Sequence, residues 1–473
     1  MMAPTMNVAS VAMGTRFMFE GSRVLSPSFI KGLLALSLFA FTGSSVIAAG
    51  TTELFFEIQE TYQDSLSVSG DEHGLITSVS PSISYSRQSR KSSIDIDYSL
   101  DAIFYHGLSD PDRENHNFNL LSQLTHEPEV WNTTIRGNVS RANTDADGLQ
   151  ITNPLLSSAN TRELRTLGVT SFFQAKPTRE TRFSLDAGAN LAGFEDDEST
   201  EGVNVGFSVD NFNSQAKTNW HFSARSQQSS VGDNDQQVDN IGLQLGYRMS
   251  TKMEVFIDTS LTRTEFPDDE SEAVLAGIEY RPNRSTYLRL GAGQRDNADS
   301  YELSLSRKLR HVRLTADYKE EIQSPRNLAL ENFVNPQEFQ TSFLDLSIAP
   351  VLQKRTDIGL EVQGERSQFG LKLFHSLRES LGTNAVIDEE QYGFRINASR
   401  KLSRQSNLQA SWTVQETSST EENTLYDFNA TYARQLARNL DFNIGAHSTL
   451  QKSSLITNEY KQYSLTFSLR KQF

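Results

Sequence analysis

IDIDYSLDAIF, residues 94–104, sets Ile94, Ile96, Tyr98, Leu100, Ala102 and Phe104 on one parity, against Asp95, Asp97, Ser99 and Asp101 on the other. Successive side chains of a strand point to opposite faces, so this stretch predicts a β-strand with one apolar and one polar face. The same period of two recurs along the chain. It appears in Leu75, Val79, Ile83 and Tyr85, in Phe183, Leu185, Ala187, Ala189 and Leu191, in Ile241, Leu243, Leu245 and Tyr247, and in Met253, Val255, Ile257, Thr259 and Leu261. The segments run about 9 to 13 residues, the length a tilted strand needs to cross a bilayer. No stretch of comparable length carries the helical period. Beyond residue 50 no run approaches the roughly 18 apolar residues of a spanning helix.

The connections decide between a membrane barrel and a soluble sandwich. One set is short and basic: Lys176 to Arg179, Arg248 to Lys252, Arg281 to Arg284, Arg307 to Arg310, Arg400 to Arg404 and Arg434 to Arg438. The other is acidic and is expected to be longer: Asp196 to Glu198, Gly232 to Asp235, Asp268 to Glu270, Asp296 to Asp299 and Glu421-Glu422. Short turns on one rim and long loops on the other are the asymmetry of an outer-membrane barrel, with the short rim periplasmic. A sandwich has no reason to sort its loops this way. Tyr85, Trp131, Phe173, Phe183, Tyr247, Tyr280, Trp412 and Phe442 lie on the apolar parity beside the basic turns, where an interfacial aromatic girdle belongs.

Both termini of such a barrel lie on the periplasmic side, so the strand number is even. Counting forward from Leu54 and back from Phe473 gives an all-β, transmembrane, antiparallel up-and-down barrel of about 22 strands, two either way. The count requires one long external excursion over Lys319 to Pro350, and a second long insertion falls at Ala142 to Arg162. The last strand puts Tyr463, Leu465, Phe467, Leu469 and Phe473 on one face, the pattern that the barrel-assembly machinery reads, with Lys471 interrupting it.

The opposite parity displays Lys217, His221, Arg225, Arg248, Glu254, Asp258, Glu279, Arg289, Arg295, Glu302, Arg313, Asp317, Arg395 and Asp441. A charge facing hydrocarbon costs about 2–4 kcal/mol at the midplane, so these are the candidate lumen-lining residues. A barrel of this strand number is too wide for side chains to fill. The expectation is a polar conduit; the alternative is a charge lattice that only stiffens the wall. The histidines are scattered, and the adjacent pairs His375-Ser376 and His447-Ser448 would point to opposite faces of their strands. No catalytic, metal or cofactor site is therefore expected, and the chain is not read as an enzyme. Asp145 to Gly148 begins like a calcium loop but lacks the later ligands. The net charge of -15 disfavours a nucleic-acid partner.

Ahead of the first strand, Arg16, Arg23 and Lys31 precede the apolar run Gly32 to Ala48, which closes on the small residues Ala48 and Ala49. That is the order of a secretory signal cleaved after Ala48 or Ala49. Residues 50–473 then form the barrel, which begins too soon after cleavage for an N-terminal plug domain. The chain holds no cysteine, which excludes a lipoprotein anchor, disulfides and thiolate metal sites.

SVSPSISYSRQSRKSSIDIDYSL, residues 78–100, followed by HNFNLL, residues 116–121, resembles the opening of the PEP-CTERM system-associated outer-membrane proteins. Pro350 to Glu379, with Gln353-Lys354-Arg355 and Gly364-Glu365-Arg366-Ser367, is similar to that family's later hairpin. The resemblance implies a barrel in the outer membrane of a Gram-negative bacterium, set in lipid and lipopolysaccharide. It further implies a bacterium with exosortase sorting and exopolysaccharide gene clusters, and it brings no catalytic residues. With the polar inner face, the reading is a channel or scaffold serving extracellular polysaccharide or surface-protein export, with exopolysaccharide export components as partners. Two other functions stay open: a general diffusion porin for small polar solutes, and a membrane-embedded barrel enzyme.

Overall fold

The computed structural model describes residues 50–67, 70–107, 112–143, 161–194, 200–211, 216–231, 234–265, 268–323, 351–380, 389–419, 422–454 and 459–473. They form 22 strands in one sheet. The first eight are β1 (Thr51–Ser67), β2 (Gly70–Gln88), β3 (Ser92–His106), β4 (Arg113–Glu127), β5 (Trp131–Asn143), β6 (Thr161–Ala175), β7 (Thr181–Phe194) and β8 (Thr200–Asn211). There follow β9 (Thr218–Val231), β10 (Asn234–Arg248), β11 (Met253–Glu265), β12 (Asp268–Asn283), β13 (Thr286–Arg295), β14 (Ala298–Lys308) and β15 (Val312–Gln323). The last seven are β16 (Val351–Gln363), β17 (Ser367–Ser380), β18 (Glu389–Lys401), β19 (Ser406–Ser418), β20 (Glu422–Ala437), β21 (Leu440–Ser453) and β22 (Tyr460–Gln472).

Every strand pairs antiparallel with its neighbours in sequence, and β1 pairs with β22 from Phe55–Gln472 to Ser67–Tyr460. The sheet is a closed transmembrane barrel with β1 and β22 starting and ending on the same rim, as the even strand count requires. Closure matters because an open edge in hydrocarbon would leave a row of backbone N–H and C=O groups without partners. The amide of Phe473 adds a last bond across the seam, donating to the Leu54 carbonyl at 2.9 Å.

The alternation read from the sequence divides the wall into two surfaces. On β10, Ile241, Leu243, Leu245 and Tyr247 are exposed outward, and on β11 Ile257 and Leu261 are, whereas the intervening positions turn into the barrel. Tyr463, Leu465, Phe467 and Leu469 on β22 lie outward with Phe473 beyond them. Lys471, on the same parity, places its ammonium 4.9 Å from the Phe473 ring instead of standing free among apolar groups. Outward aromatics at the basic rim pack edge to face. Phe173, Phe183, Phe207 and Phe222 make a continuous row across β6 to β9 at 5.1–6.3 Å between centroids.

The loop-length asymmetry is partly corrected. Basic-rim connections span two to six residues, but four connections on the acidic rim are also only two residues long. Asp296-Asn297 is one of them, with φ of 51° and 67°, the left-handed pair of a tight hairpin turn. Asp235, Asp268 and Glu422 belong to strands rather than loops. The reason is strand length: β1 has 17 residues and β2 has 19, against the 9–11 or so that cross a bilayer. The hairpins project beyond the membrane and carry acidic residues on their extensions. Likewise β15 continues to Gln323, so the long interval is 324–350 instead of Lys319 to Pro350, and Ala142 and Arg162 lie within β5 and β6. The expected signal segment, Asp145 to Gly148 and Asp196 to Glu198 fall outside the described residues.

Replacing the outward Ile257 by arginine is expected to destabilise the barrel in lipid vesicles by about 2–4 kcal/mol, read as a lower urea midpoint. Leucine at the same position should leave the midpoint unchanged within about 0.5 kcal/mol.

Candidate functional site

The inner wall from β7 to β18 is a lattice of opposite charges, and the pairing register explains its contacts. Glu279 on β12 lies directly opposite Arg289 on β13, and Glu302 on β14 stands diagonally beyond. The Arg289 guanidinium donates to Glu302 and Glu279 at 2.7 Å each and reaches Asp258 at 3.4 Å. Its plane also covers the Phe256 ring, 3.8 Å from the centroid. Phe256 is only 2% exposed although it points inward, because two glycines make room for it. A Cβ on Gly277, its register partner, would lie 2.6 Å from the Phe256 ring, and one on Gly291 would lie 3.4 Å away. The order is therefore glycine, phenylalanine, arginine, carboxylates, built outward from the sheet toward the lumen. Arg289 itself is 11% exposed, so its charge is spent on the wall and not offered to the lumen.

The neighbouring charges follow the same rule. Arg225 meets Asp186 at 3.5 Å, Arg248 approaches Glu254 at 4.0 Å, and Asn219 donates to Glu254 at 2.8 Å. Asp317 accepts from the Ser304 hydroxyl at 2.7 Å, and Arg395 donates to Thr413 at 3.2 Å. Arg313 faces Glu361 across the β15–β16 pair, and Asp441 faces Arg470 across β21–β22. Lys217 is different: it precedes β9 in a turn, and its carbonyl accepts from the Arg248 amide at 2.7 Å. Apart from Lys217, the residues singled out in the sequence thus share the parity opposite the exposed apolar side chains, spread over many strands, and do not converge on one centre. At the basic rim Arg248, Lys252, Glu254, Glu279 and Arg281 border a recess of about 260 Å³.

Sequence reasoning missed several inward groups. Arg182 makes a two-pronged contact with Asp210 at 2.9 and 2.6 Å, Asp357 joins Arg355 and Lys372, and Arg378 is paired with Glu389 at 2.9 Å. All sit on the parity of the residues that were found, so strict extension of the alternation would have reached them. Phe256 carried no such signal, because an inward aromatic is explained only by glycines on strands whose pairing the sequence does not print.

The histidine–serine neighbours are separated as the strand geometry demands. His375 turns outward to Glu390 at 2.8 Å, while Ser376 turns inward and accepts from Gln353 at 3.0 Å. His447 faces the lumen and meets Asp427 at 2.7 Å, with Thr449 at 3.0 Å from the same carboxylate oxygen. Ser448 lies on the other face, opposite Tyr463.

Fold and inner wall together define a transmembrane β-barrel with an apolar exterior and a polar interior. The chain matches no protein-family model and no curated protein. Among solved structures it is similar to the siderophore receptor PirA from Acinetobacter baumannii, with a TM-score of 0.50 and 8% identity over 89% of this chain and 81% of that one. The ferric preacinetobactin receptor BauA from the same organism gives 0.48 and 11% identity over 89% and 80%. OccK2 from Pseudomonas aeruginosa gives 0.36 and 8% over 89% and 98%. At these identities the likeness is one of barrel architecture alone.

Arg289→Met strands Glu279, Glu302 and Asp258 beside one another and is expected to cost about 3 kcal/mol of stability. Adding Glu279→Gln and Glu302→Gln should restore most of it. Urea unfolding in vesicles reads both; equal midpoints for wild type and the single variant would contradict the lattice.

Proposed function

We propose that the protein is an outer-membrane conduit for hydrophilic cargo, working with exopolysaccharide or surface-protein export. The observation that carries this is the in-wall pairing of the lumen charges. A lattice that closes on itself, as around Arg289 and in the Arg182–Asp210 contact, gives the interior a polar wall. A closed sheet of 22 strands is wider than its wall side chains alone can fill. The association with exopolysaccharide loci rests on the likeness of residues 78–100, 116–121 and 350–379 to the PEP-CTERM system-associated barrels.

In this reading the basic rim faces the periplasm and the acidic extensions face outward. Lipid and lipopolysaccharide surround the apolar belt, and the assembly machinery engages β22. The second reading is a general diffusion porin, favoured by the same polar interior.

Planar-bilayer recording separates the two. The export reading predicts no steady current from the purified barrel alone and conductance once its periplasmic export components are added. Steady, ohmic current from the barrel alone would assign it as a porin.

A further inference from the structure

The lumen has two chemically different walls. Against the charge lattice of β7 to β18 stands a wall running from β19 through β22 and β1 to β4, where amides and hydroxyls dominate. On β19 the inward positions are Asn407, Gln409, Ser411, Thr413, Gln415 and Thr417, without a charge among them. On β22 they include Gln462, Ser464, Thr466 and Ser468, and on β4 Asn115, Asn117 and Asn119. The wall also carries charges. Asp427 is held by His447 and Thr449, Asp95 and Asp97 accept the hydroxyls of Ser86 and Ser84 at 2.7 and 2.5 Å, and Asp101 accepts from Asn117 at 2.7 Å. Asp441 and Glu57 both lie opposite Arg470 in the register, and Glu53 lies opposite Ser84.

Accessibility changes along the same wall. Toward the acidic rim Thr61, Gln63, Thr449, Gln451 and Gln462 are buried. Toward the basic rim Gln409 and Asn429 are exposed and Asn443 is half-buried. These three lie on successive strands but are staggered: the row through Gln409 runs to Thr431 and Gly445, with Asn429 two residues to one side of it on β20 and Asn443 two residues to the other on β21. The Asn429 carbonyl accepts from Thr431 at 3.2 Å, which leaves its amide protons for the lumen, and Asn443 donates to Ser468 at 3.1 Å, which leaves its carbonyl oxygen capacity. Between them Gly445 leaves a shallow recess, where a Cβ would meet only Thr466 at 3.7 Å and Thr431 at 4.0 Å.

We infer that the accessible, basic-rim part of this wall, at Gln409, Asn429 and Asn443, is a track for an uncharged, polyhydroxylated chain, an oligosaccharide in chemical class, entering from that rim. Each sugar hydroxyl is donor and acceptor at once, and a planar amide offers both within one side chain. Exchange of wall-bound water for hydroxyls keeps the number of hydrogen bonds and releases the water. Many weak, repeated contacts let a polymer enter and leave, whereas free charges would hold counter-ions instead. The inference rests on the conduit reading and names its cargo class.

The test is calorimetric binding to the full-length barrel in detergent, with uncharged maltohexaose and anionic hexagalacturonate as probes. Maltohexaose is expected to bind at least tenfold more tightly. The triple variant Gln409→Ala, Asn429→Ala, Asn443→Ala should weaken it at least fivefold while keeping the heat-modifiable gel mobility of a folded barrel. If the triple variant does not reach the folded form, Gln409→Ala alone, at its exposed site, should weaken binding at least twofold. Equal affinity for the two probes, no maltohexaose binding, or unchanged affinity in a folded variant each overturns the proposal. A barrel that never conducts yet separates the probes contradicts the conduit and leaves the track standing; a conducting barrel that does not separate them does the reverse.

Discussion

Backbone hydrogen bonding in a medium without water is the constraint from which this structure follows. Hydrocarbon offers no partner to an amide or a carbonyl, so a chain that crosses it in strands has to close its sheet. The pairing of β1 with β22, extended by the Phe473 amide on Leu54, is where that requirement is met. Once the sheet is closed, parity has only two outcomes, lipid or lumen. Within the bilayer, every side-chain choice along the described strands is then a choice between them.

The lumen side shows how charges are retained in such a wall at tolerable cost. Arg289 touches three carboxylates and an aromatic ring, and its neighbours pair along the same register. Ion pairs inside a protein rarely add stability over apolar packing. Their value here is different: they keep the inner face polar while cancelling one another, so the wall carries no strong net field. The glycines beneath Phe256 are part of the same device, because they let a bulky ring lie flat against the sheet and carry the guanidinium above it.

Much of this was legible in the sequence. Alternation such as IDIDYSLDAIF gave the strands and their faces, and the sign of the connections separated the rims. The requirement for both ends on one rim gave an even strand number, matching the 22 found. Loop length was less legible, because Asp268, Asp235 and Glu422 look like loop residues in sequence but extend strands beyond the bilayer. Charges announced the lumen, and for that reason they drew attention away from the uncharged wall. Gln409, Asn429 and Asn443 are ordinary residues one at a time; only the register of β19, β20 and β21 shows that they share one inner face on successive strands. Phe256 was hidden for a similar reason, since its inward position depends on glycines of β12 and β13.

The central claim, that parity alone separates a water-lined lumen from lipid, is open to a direct measurement because the chain has no cysteine of its own. Single cysteines at Leu408, Gln409, Ala410, Ser411 and Trp412 of β19, in barrels reconstituted into vesicles, can be reacted with a membrane-impermeant maleimide. Rapid labelling at Gln409 and Ser411, with little at Leu408, Ala410 and Trp412, is the result this account predicts. Labelling that does not alternate, or that favours the apolar parity, would contradict it.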